Sequence, residues 1–190
     1  MSAVLEYPQR HRVDVQEYLR MAEARVFGPE ARLELIEGEI IEMAPIGSPH
    51  AGLVNRLNRL LNRVAGSKAL VAVQNPLIVG KRSVPYPDLA LLKPRADDYS
   101  ASHSTADDVL LVIEVADSSL EFDIGTKAPL YARAGIVEAW VVDVEKQAVR
   151  VFRDPSAKGY RTSFTALGKQ KVAALALPQV VISPADLFAS

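Results

Sequence analysis

No cysteine occurs among the 190 residues. Disulfide stapling, thiolate-ligated zinc and iron–sulfur clusters are thereby excluded, and a reducing, cytoplasmic setting is expected. Long apolar runs are missing too. The most hydrophobic one, Val109–Val115, is interrupted by Glu114, and nothing approaches the ~20 residues of a membrane span. The opening Met1–Arg12 stretch is polar and carries no apolar core of the kind a secretory signal needs. Charge of one sign is not in excess, with 22 basic against 23 acidic residues. Any contact with nucleic acid therefore needs a local patch or a partner subunit, because a global basic footprint is absent. Aromatic residues make up only 6% of the chain, and no basic stretch is interleaved with them in the way that suits single-strand stacking. With 49% hydrophobic residues, no repeat and no linker-like stretch, the chain reads as a single α+β domain over 1–190.

The elements follow from capping and periodicity. Asp14 and Glu17 form a capping-box pattern ahead of a helix over 15–25, which Gly28-Pro29 would end. The period then shortens to two, predicting a hairpin over 32–36 and 39–43 around Gly38. Leu53, Leu57, Leu60, Leu61 and Val64 define one face of a helix over 50–65. Extended runs follow at 69–79, 84–92 and 109–116, with a polar loop over 93–108. A second helix is expected over 124–134, with Asp123 or Thr126 as N-cap and Gly135 as its stop. A hairpin over 138–144 and 148–153, two weak strands and a short helix after Pro184 complete the reading.

Three charged residues stand where apolar ones are expected. Glu114 interrupts Val-Ile-Glu-Val, and an unpartnered carboxylate costs several kcal/mol to bury. It either faces a cation or marks where the strand surfaces beside an arginine. Asp88 opens Asp-Leu-Ala-Leu-Leu after Pro85-Tyr86-Pro87, as a site residue or as an ordinary strand-start turn. Lys127 shares a helical face with Asp123 and Tyr131, so it points to an anionic partner or snorkels past the core edge. Together the three suit metal-assisted phosphodiester chemistry: two carboxylates hold Mg²⁺ and a lysine steadies the phosphoryl charge.

The chain resembles the Uma2 (DUF820-type) family, a branch of the PD-(D/E)XK restriction-endonuclease-like superfamily. Its residues Leu33–Ile40, Met43-Ala44-Pro45, His50, Pro87-Asp88-Leu89, Val112–Val115 and Ser118-Ser119 carry the likeness, in order along nearly the whole chain. Asp123, Lys127, Tyr131, Gly135, Glu138–Asp143 and Asp186-Leu187-Phe188 extend it. The resemblance implies an α-β-β-β-α-β core. That core is a restriction-endonuclease-like mixed β-sheet flanked by helices, with an added N-terminal hairpin and a C-terminal β-extension. It implies an endonuclease that uses Mg²⁺ (or Mn²⁺), with Asp88 and Glu114 as catalytic metal ligands. The superfamily's usual lysine would fall at Ala116; in its place the resemblance assigns Lys127, on the following helix. Glu37, Glu39, His50 and Tyr131 are candidate supporting residues, and DNA is the expected substrate of a homodimer. Arg56, Arg59 and Arg63 form a stripe on the long helix that either meets phosphates or is simply solvated. The alternative to an enzyme is a nuclease-like fold kept as a non-catalytic binding or assembly module.

Overall fold

The computed structural model describes residues 8–28 and 31–188. Helix α1 (Val15–Glu23) starts on the expected capping box: Asp14 accepts from the Glu17 amide and Glu17 accepts from the Asp14 amide. It ends at Glu23, two residues short of expectation, and the Pro29 stop signal lies outside the described residues. Strands β1 (Leu33–Ile36) and β2 (Glu39–Glu42) pair through a two-residue turn. Both turn residues have positive φ, Glu37 at 50° and Gly38 at 83°, as a type I′ turn requires. A Cβ on Gly38 would also meet the Arg12 side chain at 2.9 Å, so a glycine is needed there on two counts. Helix α2 (Ser48–Ala65) follows, starting two residues earlier than expected because Pro49 fits its first turn.

The remaining elements are β3 (Leu70–Val73), β4 (Leu77–Ile78), β5 (Leu89–Leu92), β6 (Ser104–Thr105) and β7 (Val109–Ala116). Then come α3 (Leu120–Phe122), a π turn (Asp123–Lys127), α4 (Ala128–Arg133), β8 (Glu138–Asp143) and β9 (Ala148–Ser156). The chain closes with β10 (Gly159–Leu167), β11 (Val172–Ala173), β12 (Val181–Ile182) and α5 (Pro184–Phe188). The main sheet runs β10-β9-β8-β7-β5-β3, antiparallel except for the β7–β8 pair that the α3–α4 crossover joins.

Both faces of β7 are covered, as its near-continuous apolar run requires. Leu111, Ile113 and Val115 pack with Leu53, Leu57 and Leu61 of α2 and with Trp140. Val112 packs on the other face with Leu130, Tyr131 and Ile136 from the α4 side. Each fully buried Leu or Ile here contributes about 1.5–3 kcal/mol. A smaller cluster of Val15, Tyr18, Leu35 and Val84 binds α1 and the hairpin to the body.

The crossover departs from expectation at its start. The helix after β7 begins at Leu120, so Asp123 and Thr126 are interior rather than capping residues. The reason is the π turn: the Ala128 amide donates to Asp123 O, five residues back, and Pro129 has no N–H with which to continue an α ladder. The Gly135 stop holds, at φ 83°. Of the strands expected without bounds after the 148–153 run, the first is the nine-residue edge strand β10. Its Arg-Thr-Ser centre gives little apolar alternation because it is exposed on both faces.

Candidate active site

Antiparallel pairing of Leu89 with Ile113 puts Asp88 opposite Glu114 at the next step, on the same sheet face. The two are locked reciprocally. The Asp88 amide donates to Glu114 Oε2 at 3.3 Å, and the Val115 amide donates to Asp88 Oδ2 at 2.9 Å. His50, in the first turn of α2, donates through Nε2 to Asp88 Oδ2 at 3.0 Å. Gln74, held at φ 51° just after β3, donates to Asp88 Oδ1 at 3.0 Å.

The crossover delivers the cation. Widening by the π turn leaves both Asp123 and Lys127 inside, each 2% exposed. Lys127 Nζ lies 3.0 Å from Glu34 Oε1 and 3.4 Å from Glu114 Oε1. Tyr131, one turn on, donates to Glu114 Oε1 at 2.6 Å. Ser119 donates to Asp123 Oδ2 at 2.6 Å. Glu34 comes from β1, which docks by the Leu35–Val84 bridge just upstream of Asp88. Its Oε2 is buried with no hydrogen-bond partner, and so is His50 Nδ1. A cavity of about 80 Å³ opens beside these groups.

The electrostatics are unbalanced. Burial pushes the Glu114 carboxyl well above its ordinary value, and Lys127 only partly offsets this. Burial also raises Glu34 and Asp123, again against Lys127. Asp88 goes the other way: burial alone would raise it, but the His50, Gln74 and Val115 hydrogen bonds hold it below the usual carboxylate range. Its hydrogen bond to Asp88 raises His50. Burial disfavours the charged Lys127, yet Glu114, Glu34 and Asp123 outweigh that and keep it a cation. Four buried carboxylates thus surround one lysine and one histidine, an excess of two negative charges when all are ionised. Such an excess takes up protons or a divalent cation.

Among the described residues, no group of three or more His, Asp or Glu is set as a ready metal cage. The donor set nevertheless fits a hard cation that keeps much of its water shell. Asp88 and Glu114 face each other, Glu34 Oε2 is unsatisfied, and the small cavity beside them opens toward solvent.

Asp88, Glu114, Lys127, His50 and Tyr131 therefore converge. Glu37 and Glu39 do not: they are exposed, paired with Arg133 at 2.7 Å and Arg12 at 2.6 Å, and neither lines the cavity. The hairpin acid that lies at the cavity is Glu34, 3.0 Å from Lys127 Nζ. Arg56 is tied to the fold through a bond to Leu187 O, whereas Arg59 and Arg63 are exposed. Gln74 and the particular choice of Glu34 were not legible in the sequence, and Asp123, seen on the Lys127 face, reads there as an N-cap rather than a site residue. Only Glu34's place two residues before Ile36, on an inward strand face, could have singled it out.

A mixed sheet that opposes an Asp and a Glu at neighbouring strand ends, with a lysine from the crossover helix, has the build of a restriction-endonuclease-like nuclease fold. The chain belongs to the Uma2 family, described as "Putative restriction endonuclease", which it matches over residues 15–185. It is similar in fold to a solved "putative nuclease belonging to DUF820 from Anabaena variabilis ATCC 29413". That likeness has a TM-score of 0.71 at 18% identity and covers 93% of this chain and 97% of that one. No curated protein matches the chain in sequence. Restriction-endonuclease-like families generally use divalent metal ions. No helix among the described residues is long and apolar enough to cross a membrane.

Proposed function

We propose that the protein is an endonuclease that depends on Mg²⁺ or Mn²⁺ and hydrolyses phosphodiester bonds of DNA. The observation that supports this most is the surplus of buried carboxylate around Asp88 and Glu114 beside a small open cavity. A fold has no structural reason to keep such a surplus. A divalent cation held by Asp88 and Glu114 supplies Lewis acidity to water and to the phosphoryl oxygens. Lys127, kept charged by its three acids, is placed to stabilise negative charge that develops on the phosphate. It does from the helix what a lysine at Ala116 would do from the strand. Glu34 and Tyr131 hold Lys127 and Glu114 in register, and His50 orients Asp88. Severing both strands of a duplex calls for two such centres, which a homodimer supplies.

The test is cleavage of plasmid and oligonucleotide DNA across a series of divalent ions. Wild-type protein should cut, and Asp88→Asn and Glu114→Gln should not. Cleavage retained in both variants overturns the mechanism. DNA binding without cleavage under every ion would instead leave a non-catalytic binding module.

A further inference from the structure

Next to the carboxylate cavity lies a second, far larger one of about 850 Å³. Arg32, Glu34, Met43 and Tyr86 line both, so the two share a wall. The larger chamber is walled by aromatic and aliphatic side chains from segments far apart in sequence. Tyr18 and Phe27 come from the α1 side, with ring centroids 6.0 Å apart, and Tyr86 comes from the stretch before Asp88. Two features give it polar character. Arg25, held at φ 53° where α1 ends, and Arg32 put positive charge on its wall. Gln74, whose amide grips Asp88 Oδ1, also lines it and so joins the chamber to the candidate metal ligands.

Volume, lining and position narrow the occupant. A concave site of 300–1,000 Å³, mostly apolar with a few polar groups, is the ordinary build of a pocket for a single small organic unit. It is too confined for a duplex. Phe27 and Tyr86, both partly exposed and backed by the buried Tyr18, lie beside Arg25 and Arg32 and suit a planar ring joined to an anion. Arg32 belongs to the wall shared with the carboxylate cavity, so an anion held there lies beside the phosphodiester position. Resting on the nuclease reading, we infer that this chamber receives a nucleobase unstacked from the strand next to the phosphate that is cut. The preferred substrate is then DNA whose base leaves the stack at low cost, namely single-stranded, mismatched or damaged DNA rather than intact duplex. The sequence hid this because Tyr18, Phe27 and Tyr86 are not interleaved with basic residues along the chain and are gathered only by folding.

The test uses the full chain in metal-free buffer, with 2-aminopurine deoxyriboside 5′-monophosphate as probe and its fluorescence as readout. Saturable quenching is expected. Deoxyribose 5-phosphate, which has no base, should compete at least about tenfold more weakly, the scale on which one stacked base contributes. Ala22→Trp fills the chamber from an exposed helix position and should weaken the probe about tenfold or more without shifting the thermal midpoint. Absence of saturable quenching, equal competition by the base-free sugar phosphate, or unchanged binding by folded Ala22→Trp would each overturn the inference. Cleavage is scored separately. DNA cut equally well by wild type and Ala22→Trp, with no probe binding, sinks the base pocket and leaves the nuclease standing. Probe binding without cleavage under any ion sinks the nuclease and leaves the pocket.

Discussion

Glu114 and Glu138 are both glutamates buried in the adjacent parallel strands β7 and β8, and burial is answered differently around each. Glu138 opens β8 on the α2 side of the sheet and is fully enclosed. Oε1 accepts from Trp140 Nε1 and Arg153 Nε, both at 2.8 Å, and Oε2 accepts from the Leu175 amide at 2.6 Å. Arg153 also donates to Ala173 O, so the cluster fastens the C-terminal strands to the sheet. Every oxygen there has a partner and the charge is matched. Glu114, on the opposite face and near the far end of β7, shares one lysine with Glu34 and Asp123 and faces a cavity. Equal burial therefore does not mean equal role: matched charge fastens the fold, and surplus charge leaves room for a ligand.

The comparison is easiest to break through activity. Glu114→Gln should lower DNA cleavage by at least about 10³-fold, the scale seen when a group acting on the reacting atoms is lost. Glu138→Gln, measured per folded molecule, should leave cleavage within a few-fold. Comparable losses in the two would erase the distinction. Stability should rank them the other way. Glu138→Ala leaves Arg153 and the Leu175 amide without their acceptor and should cost about 3 kcal/mol in denaturant unfolding, as broken buried pairs do.

A third effect is smaller and has a definite sign. The raised Glu114, Glu34 and Asp123 carboxyls contribute stability that is complete below the ordinary carboxyl range and is lost as pH rises through their raised values. Asp88 runs oppositely: its contribution is present above the ordinary Asp value and lost as pH falls through its lowered one. The thermal midpoint of metal-free protein should thus fall as pH climbs from about 5 to 8. Glu114→Gln should flatten that slope and sit a few degrees above wild type at pH 8, about 2–4 °C per kcal/mol recovered. An equally steep slope in the variant would contradict the assigned charge surplus. Smallest of all, Glu37→Gln and Glu39→Gln remove exposed ion pairs and should change stability by less than about 1 kcal/mol and cleavage hardly at all.

Local signals carried much of the architecture. The capping box at Asp14, the Gly38 hairpin and the leucine stripe of α2 are short-range features, and each holds in the structure. Asp88 and Glu114 stood out because a charge inside an apolar run conflicts with its strand. Lys127 stood out for a similar reason on its helix face. What escaped depends on distant register or on helix irregularity. Glu34 enters the site only through the Leu35–Val84 bridge, and Gln74 only through a left-handed turn after β3. Asp123 looked like an N-cap because a π turn cannot be told from a helix start by spacing alone. Glu138 read as a strand start, since its arginine lies on the neighbouring strand and its amide partner beyond β11.

If the surplus around Asp88 and Glu114 seats a divalent cation, calorimetric titration of Mn²⁺ into the metal-free chain will reveal it. Saturable binding at one site per chain is expected, with proton release that grows as pH is lowered from 8 towards 6, and loss of that site in Glu114→Gln. Absence of site-specific binding at millimolar Mn²⁺, or an isotherm unchanged by Glu114→Gln, would contradict it.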